Sequence, residues 1–319
     1  MTVDCGALPQ LHYRVTSATT PLSTVHALLA GAIDYAGLFP PARLDLPTAL
    51  ASYLTYRSGP EAWALGRFVV PAALLPELER LLRLHRSQGA PADRAPLLPI
   101  SVLLGAAAAA DVDAVERFNG SSREHGAKVV SVETKLPSED MAAPIFAAIP
   151  QSWTRYLEVP LAAGNATALE TVARGAAFAK IRTGGTTLDA FPEADELLRF
   201  LEWAAARKLP FKATAGLHHP WRGVYPLSDA EGEPGAPMFG YLNLLLSATI
   251  LWTGGELRLA RRALLEADPR ALRLERDALL WRELRLELAT LVAMRTHFCH
   301  GFGSCSFRQP LDELAAVLA

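Results

Sequence analysis

Short apolar or β-branched runs recur along the chain, each stopped by a turn residue and followed by a helical spacing of apolar positions. Ala36–Phe39 is the first run, closed by Pro40 and Pro41, and a helix is predicted from Pro47 to Tyr56. RFVV at 67–70 is the second, with a helix over 74–84. LLPISVLL at 97–104 is the third, and Asp111 caps a helix that ends near Phe118. KVVSVETK at 128–135, RYLEV at 155–159 and AFAKIR at 177–182 are the fourth, fifth and sixth. Pro192 and Glu193 then open a helix, with an acid near its positive dipole end. PFKATAG at 210–216 is the seventh. The eighth is ALRL at 271–274, followed by a predicted long helix from Leu279 to Met294.

Strands alternating with helices imply parallel pairing, because each return crossing needs a helix. Eight such units close a barrel more naturally than they fill an open sheet. The fold predicted is therefore α/β, a (β/α)8 barrel forming one domain over 1–319, with 279–319 as a C-terminal helix and tail. An open doubly wound sheet is the alternative, but the chain carries neither GxGxxG nor GxxxxGK[ST].

Composition narrows the function classes. The chain of 319 residues is 50% hydrophobic, enough to bury a large core. Thirty-one basic against 33 acidic residues give a net charge of −2, which argues against nucleic acid as a partner. Three cysteines, Cys5, Cys299 and Cys305, are too few for a disulfide scaffold. The opening MTVDCGALPQ lacks the pattern of a secretory signal, and 238–252, interrupted by Asn243, reads as a buried helix rather than a membrane span. A cytoplasmic protein with a small-molecule substrate and no membrane partner is expected.

Charge inside a parallel barrel strand costs several kcal/mol unless it is paired or faces the open mouth. Four consecutive strands carry such charges: Glu133 and Lys135, Glu158, Lys180 and Arg182, and Lys212 followed by Thr214. Residues two apart share a face, and neighbouring strands lie about 4.8 Å apart, so one cluster is expected. Asp34, Thr183-Gly184-Gly185 and His218-His219 would join it from the loops. Two facing lysines suggest an amine nucleophile. A second ammonium and partial burial would favour the neutral form, and Lys180 or Lys212 would attack a carbonyl. Glu133 or Glu158 would carry the proton, Arg182 would hold an acidic group, and the 183–185 amides would face an anion. An imine mechanism requires no cofactor. A structural ion network plugging the barrel is the alternative reading of the same charges.

Two segments carry a resemblance. AKIRTGG at 179–185 and FKATAGL at 211–217 resemble the sixth- and seventh-strand signatures of the deoxyribose-phosphate aldolase group of class I aldolases. The resemblance covers about 40 residues. It implies a barrel lyase acting on a small polar carbonyl compound, with Lys180 as the Schiff-base lysine and Lys212 as the residue that lowers its pKa. Arg182 stands where that group has a small polar residue, and the late phosphate turn has no counterpart. FKATAGLHHP and GFGSCSF are also similar to stretches of bacterial proteins without an assigned activity.

Two other function classes fit the same residues. Asp34, Glu133, Glu158 and one of His218 and His219 form an oxygen and nitrogen set for a divalent metal ion, which would make the protein a metal-assisted lyase, isomerase or hydrolase. A barrel that binds without catalysis is the third class. His297, Cys299, His300 and Cys305 lack a standard zinc spacing and are expected to belong to a tail folded over the barrel. Trp281, Leu284, Leu288, Leu291 and Val292 read as an apolar helix stripe, for the core or for a homo-oligomer contact.

Overall fold

The computed structural model describes residues 23–88, 96–105, 108–136, 139–161, 166–227 and 234–318. Cys5, the opening MTVDCGALPQ and Ala106-Ala107 lie outside the described residues.

Eight parallel strands close a barrel: β1 (Ile33–Tyr35), β2 (Leu65–Pro71), β3 (Leu98–Leu103), β4 (Ala127–Lys135), β5 (Thr154–Glu158), β6 (Phe178–Arg182), β7 (Phe211–Thr214) and β8 (Cys299–Ser304). Consecutive strands pair in order, and β8 closes the ring between β7 and β1. Helices fill the crossings as the apolar spacing requires. Asp45 caps Leu46–Ser58 by accepting from the Thr48 amide at 2.8 Å, and Pro47 sits in its first turn. Glu193 and Glu196 form a capping box on Ala194–Arg207. Asp111 lies within the first turn of Ala108–Gly120 rather than before it, and its carboxylate accepts from the Gly105 amide at 2.6 Å.

Three expectations are corrected. β1 precedes Ala36–Phe39, which instead forms the loop above it. Leu272–Leu274 is not a barrel strand. It pairs antiparallel with Ala278–Trp281, which pairs with Leu284–Glu287, in a small separate sheet. The long helix predicted from Leu279 is therefore two strands and a helix, Leu288–His297. The apolar positions Leu279, Trp281 and Leu286 suit a pleat, whose period is two, as well as a helix turn. The tail residues 299–304 supply the true eighth strand.

The connection from β7 to β8 is long. It holds an antiparallel pair, Gly223–Pro226 with Gly235–Met238, then helices Tyr241–Trp252 and Leu257–Leu264, then the small sheet. The first helix is buried along almost its whole length. Its polar groups are satisfied internally: Asn243 donates to the Ala263 and Glu266 carbonyls at 2.8 Å, and Ser247 to the Ala260 carbonyl at 2.9 Å. No helix among the described residues is long and apolar enough to cross a membrane.

Candidate active site at the barrel mouth

The barrel interior is not filled by the aliphatic layers usual for this fold. Polar and charged side chains from every strand meet inside it. β4 places Glu133 at the centre, 2% exposed. One carboxylate oxygen of Glu133 accepts from Lys212 Nζ on β7 at 2.7 Å, and the other accepts from Lys180 Nζ on β6 at 2.9 Å. Ser101 on β3 donates to Glu133 at 2.7 Å, and Ser131 donates to Ser101 at 2.7 Å. Lys180 also reaches Glu158 on β5 at 2.8 Å, and Lys212 also pairs with Asp34 on β1. The Arg67 amide donates to Asp34 at 2.7 Å, and its guanidinium stands 3.5 Å from the same carboxylate.

Register explains the convergence. Lys135, Glu158, Lys180 and Lys212 are successive cross-strand partners on β4 to β7. They form one rung across four consecutive strands, with Glu133 two residues below Lys135. A separation of 79 residues between Glu133 and Lys212 thus becomes a hydrogen bond.

The electrostatics differ from the sequence expectation in one respect. Burial opposes charge on Lys212, but Asp34 and Glu133 outweigh it and hold its ammonium above the ordinary lysine range. Burial also opposes ionisation of Glu133, and Lys180 and Lys212 together outweigh it, holding the carboxyl well below the usual range. Glu133 stands between the two ammonium groups with one oxygen for each. The mutual repulsion expected to neutralise a lysine is therefore offset, and Lys212 is a fixed cation rather than a free amine.

Above this cluster lies a cavity of about 700 Å³. Glu133, Glu158, Lys180 and Lys212 form part of its lining, with Lys135, Arg182, Gly185, Thr186, Thr214 and His218 around them. Asp34 lies behind Lys212 and is not part of the lining. Thr183 is not part of the lining: its amide donates to the Thr214 carbonyl at 3.0 Å, and its hydroxyl to the Ala215 carbonyl. Both its donors close the loop instead of facing a ligand. Gly184 is also absent from the lining. A Cβ there would stand 2.6 Å from Phe191 and 2.8 Å from the Gly216 backbone, so this glycine permits two loops to touch. The adjacent histidines diverge. His218 lines the cavity near Ser304 and Cys305. His219 turns away, stacks on Tyr225 and meets Glu313 at 2.8 Å.

No protein-family model matches the chain, nor does any curated protein or solved structure. The residues themselves must carry the functional reading. Asp34, Glu133 and Glu158, the carboxylates considered for a divalent metal, are bridged by Lys180 and Lys212. Among the described residues, no group of three or more His, Cys, Asp or Glu is placed to hold a metal ion. His297, Cys299, His300 and Cys305 do not converge either. Cys299 is buried, and burial raises its thiol to about 11. His300 contacts Tyr156 at 2.8 Å inside the barrel, and Cys305 lines the cavity.

Sequence reasoning missed the floor of the site. Arg67, Ser101, Ser131, Tyr156 and His300 all belong to it. Arg67 in RFVV and Ser101 in PISVL were visible as polar breaks in apolar strands, the same signal that identified Glu133. Tyr156 and His300 carried no such signal. The Tyr156 ring accepts the Lys212 ammonium on its face at 5.3 Å, and burial raises its own hydroxyl pKa.

Proposed function

We propose that the barrel is a lyase that acts on a carbonyl compound through an imine on Lys180. One observation carries the reading: Lys180 lines the cavity while its amine lies within 2.9 Å of two carboxylates, Glu133 and Glu158. An amine so placed has a proton acceptor on each side and open space in front of it.

The roles follow from the partners. Glu133 serves two ammonium groups and a serine hydroxyl, so it is the fixed counter-ion. Glu158 has one ammonium partner and faces the cavity, so it is the mobile acid and base. It takes the proton from Lys180 Nζ, and the freed amine adds to the substrate carbonyl carbon. Glu158 then returns the proton to the departing hydroxyl, which leaves as water. The resulting iminium draws the electron pair of the Cα–Cβ bond, which breaks as Glu158, ionised again, takes the β-hydroxyl proton and the first product leaves as a carbonyl compound, with an enamine left on Lys180. Protonation of the enamine and addition of water release the second product and restore the lysine. Lys212, held charged by Asp34 and Glu133, keeps a positive field beneath the reacting nitrogen.

Borohydride reduction in the presence of short aldehydes and ketones, followed by peptide mapping, tests this directly. A stable adduct on Lys180, absent from K180M, is the expected result. Adducts confined to exposed lysines across a broad carbonyl set would overturn the proposal.

A further inference from the structure

The mouth is divided between two chemistries. Phe39 and Pro41 after β1, Leu103 and Leu104 at the end of β3, and Met141 and Ile145 after β4 form an apolar wall. Met141 is 42% exposed there. The charged residues of β4 to β7 supply the rest of the contrast. The lining carries four cations (Lys135, Lys180, Arg182 and Lys212) and two carboxylates (Glu133 and Glu158), with Asp34 behind Lys212. The three carboxylates are used by Lys180 and Lys212. Lys135 and Arg182 are exposed at the rim and have no ion-pair partner among the described residues. A chain of net charge −2 thus keeps two uncompensated cations at the entrance of its cavity.

From this arrangement we infer that the substrate is an amphipathic oxo acid: its carboxylate lies between Lys135 and Arg182, and its apolar body lies on the wall of Phe39, Pro41, Leu104 and Met141. The inference rests on the imine reading for the position of the carbonyl, which faces Lys180. Side chains, rather than backbone amides, do the anion recognition. Barrels of this type commonly hold phosphate on helix N-termini after the late strands. Here those termini are occupied from within. Glu193 and Glu196 cap Ala194–Arg207 with negative charge. The Tyr241 and Leu242 amides donate to the His219 and Pro220 carbonyls at 3.0 and 3.1 Å. The Gln309 amide at the start of the last helix donates to Ser306 Oγ at 3.2 Å. A planar carboxylate suits the Arg182 guanidinium, and a volume of about 700 Å³ is well beyond a three-carbon aldehyde.

Calorimetric titration with probes that lack a carbonyl tests the inference independently of imine chemistry. The probes are phenylbutanoate, phenylbutanol, butanoate and phenylethyl phosphate. Phenylbutanoate should bind at least about tenfold more tightly than each of the others. R182Q and K135Q should each weaken it by about tenfold while leaving the melting temperature unchanged, since both side chains are exposed. Equal binding of the alcohol and the acid, tighter binding of the phosphate, or no binding of any probe would overturn it. A failed titration beside successful borohydride trapping removes the oxo-acid assignment and keeps the imine. The reverse pattern removes the imine and keeps the anion site.

Discussion

Replacement of Glu133 by Gln is the sharpest test of the interior network. The carboxylate gives one oxygen to Lys180 and one to Lys212. A carboxamide can accept from one lysine only, and its NH2 group then faces the other ammonium. Each lysine retains a partner, Glu158 or Asp34, so neither is wholly stranded. Breaking a buried pair of this kind costs about 3–5 kcal/mol. A second argument bounds the figure. The variant can relieve itself by releasing one lysine proton. From an ordinary lysine pKa this costs about 5 kcal/mol at pH 7 and about 2 kcal/mol at pH 9. The penalty should therefore shrink as pH rises. The wild type should not follow, because Lys212 is raised above the ordinary range: its stabilisation is fully present below the unfolded lysine pKa and is lost only as pH passes the folded one. Urea denaturation of both proteins at pH 7 and pH 9 measures the effect. A loss under 1 kcal/mol at pH 7, or the same loss at both pH values, would refute the network as described.

Two further expectations come from the same interior. Burial, with Arg67, Arg295 and Lys212 nearby, pushes His300 down to about 3, so the folded state holds it neutral while the unfolded chain takes a proton below about pH 6.5. Stability should fall by roughly 1.6 kcal/mol in all on acidification from pH 6.5 to 5 from this group, and H300N should lose that component in parallel denaturation curves. A Cβ on Gly66 would press against Asp34 Oδ1 and the Gly31 carbonyl, so G66A should cost about 1–3 kcal/mol, whereas G120A, with open space at its Cβ, should cost nothing in the same denaturation assay.

The alternation of elements was legible because the strands of a parallel barrel are covered on both faces. RFVV, PISVL, KVVSV and RYLEV therefore stand out as apolar runs, and six of the strands fell near their true places. β8 did not stand out. CHGFGS has glycines where the others have valine or leucine, because Gly301, at φ 141°, passes too close to the Ala32 backbone for a side chain. The small antiparallel sheet was misread for a different reason: Leu279, Trp281, Leu284 and Leu286 satisfy a pleat and a helix alike over so short a span.

The identity of the central charges was a property of the sequence. Glu133, Glu158, Lys180 and Lys212 each interrupt a strand that must otherwise be apolar, and such an interruption is expensive enough to mark itself. Their partnerships were decided by tertiary structure alone. Strand register and barrel closure determine which carboxylate meets which ammonium, and therefore that Asp34 and Glu133 hold Lys212 charged while Lys180 faces the cavity. The sign of a buried group's pKa shift depends on distances of a few ångströms between residues far apart in the chain, and local pattern contains no such distances.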